Sequence, residues 1–247
     1  MPNLADWKAD LDRWGLRRWL WLRVIIALRN RLVLCDVRVR VHDPEIVPLH
    51  SAGGCTIRFA TRDDLIRACD DPRAGLNAAD VATALDRGDV CTAAFDGDRM
   101  VAYVWRSFTT ARWAPNVWVA FEKPYRYGHK GFTDPAYRGR RISTALSLFM
   151  DRECIDSGYT HAISLVETHN YTSLAAEAHR PSVHVGYAGY LKLRGSHYPF
   201  RTWGARKHKF RLRHVEDESN PSRVCAERAP MPLDVSASST ARESDRR

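Results

Sequence analysis

The stretch Gly131-Phe132-Thr133-Asp134-Pro135-Ala136-Tyr137-Arg138-Gly139-Arg140-Arg141-Ile142-Ser143-Thr144-Ala145-Leu146 constrains the fold more tightly than any other part of the chain. It reads as the end of a strand, a turn holding Pro135 and Gly139, and the opening of a helix. The helix is predicted over Ile142 to Ser157, because Ile142, Leu146, Phe149, Met150 and Cys154 recur at helical spacing and Gly158 suits the position after the last turn. Unbonded amides at a helix N-terminus attract anions, and the dipole and nearby cations add to that attraction. Small residues at Gly139, Ser143 and Thr144 let a diphosphate approach the backbone closely. On physical grounds alone, the unit is an anion site at a strand-to-helix turn.

Around it lies an alternation of strands and helices. Residues 5–31 favour helix, and in residues 34–42 Cys35, Val37, Val39 and Val41 alternate with Asp36, Arg38, Arg40 and His42, as in a half-buried strand. Residues 43–54, with two prolines and two glycines, read as a linker. A short strand over 56–60 precedes a helix capped by Thr61, and Asn77 caps a second helix through Leu85. Residues 90–95 and 100–108 form strands joined at Asp96-Gly97-Asp98, a strong hairpin signal. Further strands are expected at 117–121, 127–133, 161–166, 185–193 and 201–213, with a short helix at 170–179. Beyond Val215 large apolar residues are sparse, and a disordered tail is expected over 216–247.

Several classes fall away on composition. No run approaches the roughly 18 apolar residues of a membrane span. The opening Met-Pro-Asn-Leu-Ala-Asp lacks the early positive charge of a signal peptide, so a cytoplasmic location is expected. The six cysteines are scattered without a C-x-x-C pair, and the ten histidines show no ligand pair at helical spacing, so neither a disulfide framework nor a metal site is expected. The net charge of +9 is uneven. From Ala178 to Val215 there is no acid, while Arg180, Lys192, Arg194, Arg201, Arg206, Lys207, Lys209, Arg211 and Arg213 all fall inside. Such a surface attracts an anionic cofactor or an acidic protein partner. Nucleic acid is not expected, since neither a helix-turn-helix pair nor an aromatic-basic RNA signature is present. In the N-terminal helix the arginines do not gather on one side, so docking on the fold or a partner is favoured, with membrane-surface contact as the alternative.

The segment Thr133 to Leu146 resembles the pattern V-x-P-x-x-R-G-x-G-I-G-x-x-L of the GNAT N-acetyltransferase superfamily. The resemblance runs from about Thr56 to Trp203. It includes the opening Ile57-Arg58-Phe59-Ala60-Thr61-Arg62-Asp63-Asp64-Leu65 and the later Asn170-Tyr171-Thr172-Ser173-Leu174. It implies an α/β fold with a mixed, mostly antiparallel central sheet flanked by helices over residues 51–215, preceded by a helix-and-strand extension over 1–50. It implies acetyl-CoA, or another acyl-CoA, as co-substrate and no metal. The contacting residues would be Phe132, Thr133, Arg138, Gly139, Arg140, Arg141, Ile142, Ser143, Thr144, Asn170 and Ser173. The chain departs from the pattern at Arg141, where glycine is usual, and at Glu177, where many members have a proton-donating tyrosine. Arg180-Pro181-Ser182 replaces the usual L-G-F.

Acyl transfer to an amine needs a proton sink, while the thioester is already activated. By resemblance the acyl group lies where the fourth strand of the domain splays from the fifth, and His129 and Glu167 are the ionisable groups there. His129 has the better suited intrinsic pKa. Two function classes follow: an N-acyltransferase acting on a small-molecule or sugar amine, or a degenerate GNAT-fold protein that docks an acidic partner or nucleic acid.

Overall fold

The computed structural model describes residues 11–12, 15–28, 31–45, 47, 49–114, 116–178 and 180–214 of the 247-residue chain. The tail expected over 216–247, and most of residues 1–15, lie outside the described residues. Helix α1 (Leu16–Leu28) leads into β1 (Leu32–Val41), β2 (Ser51–Ala52) and β3 (Cys55–Phe59). Next come α2 (Arg62–Cys69), α3 (Ala78–Asp86), β4 (Val90–Asp96), β5 (Arg99–Ser107), β6 (Thr110–Ala114), β7 (Val117–Phe121) and β8 (Tyr125–Thr133). The chain continues through α4 (Ile142–Ile155), β9 (His161–Glu167), α5 (Tyr171–Ala178), β10 (Val183–Leu193), β11 (Ser196–Arg201), α6 (Trp203–Arg206) and β12 (Phe210–His214).

Nine strands form one sheet in the order β11-β10-β1-β9-β8-β5-β4-β3-β2, and β12-β7-β6 form a second. Every described pairing is antiparallel except β8 with β9. The architecture is thus the mixed, mostly antiparallel α/β sheet flanked by helices that the sequence implies. Alternation along β4 separates two cores. Val90 and Ala94 pack with Ile142, Leu146 and Phe149 of α4, while Cys91, Ala93 and Phe95 pack with Leu65 and Val81 of α2 and α3. The small sheet closes a third core over Val37, Val39, Tyr127 and Ile163.

The capping expectations are met. Thr61 and Asp64 form a reciprocal capping box on α2, and Asn77 accepts from the Asp80 amide on α3. Each such cap contributes about 1 kcal/mol. Two expectations are corrected. The strand over 201–213 is broken: β11 ends at Arg201, α6 turns the chain, and β12 joins the second sheet against β7. The turn presses on β10, where a Cβ on Gly204 would stand 2.3 Å from the Val185 carbonyl oxygen. Only glycine fits there. The linker over 43–54 contains β2, and β6 falls where no strand was expected. In the large sheet β1 pairs with β10 on one side and β9 on the other.

Candidate active site

Two features of β8 open a fork in the sheet. The parallel pairing with β9 runs from Tyr125↔His161 only to Gly128↔Ser164, although β8 continues to Thr133 and β9 to Glu167. Beyond that rung β8 follows β5 and β9 follows β1, so the two strands part. The parting coincides with a bulge: Trp105 pairs with His129 and Val104 with Gly131, leaving Lys130 between them at φ 33°. A bulge bends its strand and strengthens local twist, which turns β8 away from β9. Phe132 and Thr133 lie on the far side of the bulge, along the free edge of β8, and Phe132 stacks on Tyr103 with ring centroids 5.8 Å apart.

From Thr133 the chain reaches the N-terminus of α4. Asp134 is buried, accepts from the Ala136 amide at 3.0 Å and pairs with Arg99 at 2.6 Å, which anchors the turn. The loop then rises into solvent with Arg138, Gly139, Arg140 and Arg141 exposed. Gly139 has φ 80° and Arg141 φ 58°, so both adopt the left-handed conformation. At Arg141 a side chain in this conformation costs about 1 kcal/mol. The amides of Gly139, Arg140, Arg141, Ile142 and Ser143 donate to no carbonyl among the described residues. The Thr144 amide is already engaged, donating to the Arg141 carbonyl at 3.1 Å. Five free amides, a 14-residue helix and three exposed guanidiniums offer a cradle that an anion can occupy. Arg140 also donates to the Gly53 carbonyl and stacks over Tyr137, which braces the loop.

The far arm of the fork, β9, runs into α5. Asn170 Oδ1 accepts from the Ser173 amide at 3.1 Å, so Asn170 caps the helix with its oxygen while its side-chain NH2 remains available. Glu177 pairs with Arg180 at 2.5 Å, and Arg180 Nη2 donates to Ser143 Oγ at 2.6 Å in the first turn of α4. The position where a tyrosine proton donor is usual therefore holds an ion pair that ties α5 to α4. The sequence alone gave no sign of this link.

His129 and Glu167 occupy the same face of the sheet on opposite arms of the fork, as the register Gly128↔Ser164 requires. They differ in surroundings. His129 stacks on Tyr127 with centroids 5.7 Å apart, its Nε2 lies 3.0 Å from Ser107 Oγ, and Asp89 Oδ2 lies 3.5 Å from the same nitrogen. Asp89 is buried and is also held by Arg87. A proton on Nε2 directed at these two acceptors leaves Nδ1 with its lone pair. Glu167 is half exposed and pairs with His169 at 3.1 Å. Asp89 and Ser107 are additions that sequence reasoning missed, because neither stands in a motif and only the sheet register brings them to His129. The cations of the acid-free segment divide: Arg180 and Arg201 are bonded inside the fold, while Lys192, Arg194, Arg206, Lys207, Lys209, Arg211 and Arg213 are exposed, Arg206 donating to the Arg201 carbonyl at the surface. Among the described residues no group of three potential metal ligands occurs, and no helix is long and apolar enough to cross a membrane.

No protein-family profile and no curated protein matches the sequence. Solved structures share parts of the topology. A Drosophila protein is 12% identical at a TM-score of 0.46, covering 81% of this chain and 58% of its own. A putative acetyltransferase from the GNAT family from Novosphingobium aromaticivorans is 15% identical at a TM-score of 0.42, covering 64% of this chain and 62% of its own. An acetyltransferase of the GNAT family from Staphylococcus aureus is 12% identical at a TM-score of 0.39, covering 66% of this chain and 99% of its own. The chain thus spans less than two thirds of the first two structures. These likenesses assign no role to any residue; the chemistry below rests on the geometry of the fork and the cradle.

Proposed function

We propose that the protein is an acyl-CoA-dependent N-acyltransferase that transfers an acetyl or related acyl group directly to an amine. The observation that carries this reading is the row of five unbonded amides from Gly139 to Ser143, set beside the fork between β8 and β9. The diphosphate of the substrate lies on those amides, with Arg138, Arg140 and Arg141 around it. Its pantetheine arm passes the Asn170 side chain, and the thioester reaches the open edge of β8 near Phe132 and Thr133. Amides on that edge polarise the thioester carbonyl.

The acceptor enters on the face that carries His129. The neutral amine attacks the thioester carbonyl carbon, a C–N bond forms and the C–S bond breaks. Nδ1 of His129 takes one proton from the nitrogen, and the departing thiolate takes one from solvent to leave as the free thiol of CoA. His129 then returns its proton to water, so the cycle closes on an amide and a thiol. The half-exposed Glu167, on the other arm of the fork, steers a cationic amine toward this position, and the amine gives its extra proton to solvent before it attacks. Incubating the protein with acetyl-CoA and a panel of small-molecule and sugar amines tests the reading by release of free thiol. Release that depends on both amine and protein supports it. No release with any amine, alongside unbound acetyl-CoA, contradicts it and leaves a GNAT-like binding protein as the remaining reading.

A further inference from the structure

Beneath the fork, on the face opposite His129, four arginines from four parts of the chain converge on α4. Arg40 of β1 grips Asp151 with both terminal nitrogens at 2.7 and 2.9 Å, and Arg126 of β8 donates to the same carboxylate. Arg106 of β5 donates to the Trp105 carbonyl at 2.9 Å and points its other terminal nitrogen at Ser147 Oγ, 3.4 Å away. Arg180 joins through Ser143 and Glu177. His42 Nε2 stands 3.4 Å from Asp151, but burial and then Arg126 push its pKa down to about 3, so it adds no charge at neutral pH.

The charges do not balance. Four guanidiniums face two carboxylates, Asp151 and Glu177, which leaves an excess of two positive charges in a region where Arg126 is 0% and Arg106 4% exposed. Donors are also left over: Arg106 Nε, Arg126 Nε, Arg126 Nη1 and Arg180 Nε are buried without an acceptor. Burial and the nearby guanidiniums of Arg126 and Arg180 drive the pKa of Arg106 well below its ordinary value. Uncompensated buried charge of this kind costs several kcal/mol per ion. Surplus charge and surplus donors both call for an anion.

The placement indicates which anion. The Arg106 guanidinium lies against Gly128, 3.3 Å from where a Cβ would stand, and Gly128 is the last rung before β8 and β9 part. Ser147 and Asp151 follow Ile142 by five and nine residues on α4, about 7 and 13 Å along the helix from the cradle. The cluster thus lies at the closed end of the fork, below the edge of β8 that the thioester reaches, on the side of the sheet where α4 packs. We propose that this arginine cluster binds the terminal carboxylate of the donor's acyl chain, making a dicarboxylic acyl-CoA the preferred donor; the assignment rests on the acyl-CoA reading above. A carboxylate accepts from the planar guanidinium fork through two oxygens, which suits Arg106 and Arg126 together.

Calorimetry with succinyl-CoA and butyryl-CoA, which share chain length and differ in the terminal carboxylate, tests the assignment on the unmodified protein. Succinyl-CoA should bind at least tenfold more tightly. In Arg106→Met, which removes one surplus charge, that advantage should vanish while butyryl-CoA affinity stays within about twofold, and melting temperature reports whether the variant is folded. Equal affinities in the unmodified protein, or an advantage that survives in folded Arg106→Met, overturn the proposal and leave the acyl-CoA reading standing. Free succinate binding as tightly as succinyl-CoA also overturns it, because the site would then serve a free carboxylate. If neither thioester binds, the acyl-CoA reading falls and this assignment falls with it.

Discussion

His129 Nε2 lies 3.5 Å from Asp89 Oδ2, so a buried carboxylate ahead of β4 reaches the imidazole beside the fork in the sheet. With the proton of a neutral imidazole on Nε2, facing Asp89, Nδ1 keeps its lone pair. If His129 acts as the base, His129→Gln should lower kcat by about 10²-fold or more. Asp89 acts through His129, so Asp89→Asn should lower kcat by about tenfold with KM little changed, and leave acetyl-CoA affinity unchanged. Steady-state rates across pH check both. Equal kcat in His129→Gln and the unmodified protein would return His129 to a structural role.

Arg141 offers a test of backbone strain at the cradle. Its φ of 58° suits glycine, and its side chain makes no capping bond. Arg141→Gly should stabilise the fold by up to about 1 kcal/mol, less the added freedom of the unfolded chain. Arg141→Val, β-branched in a left-handed conformation, should destabilise it by about 1 kcal/mol. Urea unfolding of the two variants distinguishes this from a relaxed loop, in which both changes would be nearly neutral.

A second backbone prediction concerns the docking of α6. Gly204→Ala places a methyl 2.3 Å from the Val185 carbonyl oxygen, inside van der Waals contact with rigid backbone. The expected loss is about 2 kcal/mol or more, read by urea unfolding. An unchanged unfolding midpoint would mean that α6 does not press on β10.

Acid sensitivity follows from His42. Burial, then the Arg126 charge, lower its folded-state pKa to about 3 from an ordinary 6.5. The unfolded chain therefore binds a proton that the native state refuses between those values. The native state keeps its full stability above pH 6.5 and loses about 1.4 kcal/mol per unit as pH falls toward 3. His161, His197 and His208 are also shifted down by burial and act in the same direction. His42→Gln should remove about one proton from the slope between pH 6.5 and 4. Unfolding free energies measured across that window give the slope, and an identical slope in the variant would contradict the assignment.

Much of the frame was legible in the sequence because local chemistry writes it. Thr61 and Asn77 announce their helices through side chains that must bond nearby amides, and the Asp96-Gly97-Asp98 turn fixes its hairpin. The cradle was legible for the same reason, since Pro135, Gly139 and the helix that follows are contiguous. What escaped depends on partners distant in the chain. The alternation in β1 marks a strand but not its neighbours, β9 and β10, which lie more than 100 residues away. Asp89, Arg106 and Arg126 look like ordinary charged residues until register and packing bring them to His129 and Asp151. The break at α6 was hidden because Arg201 to Arg213 is mostly basic and apolar, and Gly204 alone does not mark a turn until its close approach to Val185 is seen.

The central claim is that the free amides from Gly139 to Ser143 hold the diphosphate of an acyl-CoA. Isothermal titration of the purified protein with acetyl-CoA, beside Gly139→Asp, tests it most directly. An aspartate there adds a negative charge at the cradle and strains a residue at φ 80°, with no atom within 4 Å to obstruct its Cβ. Binding should be saturable and one-to-one in the unmodified protein and at least tenfold weaker in the folded variant. Absence of binding in the unmodified protein, or equal affinity in both, would contradict it.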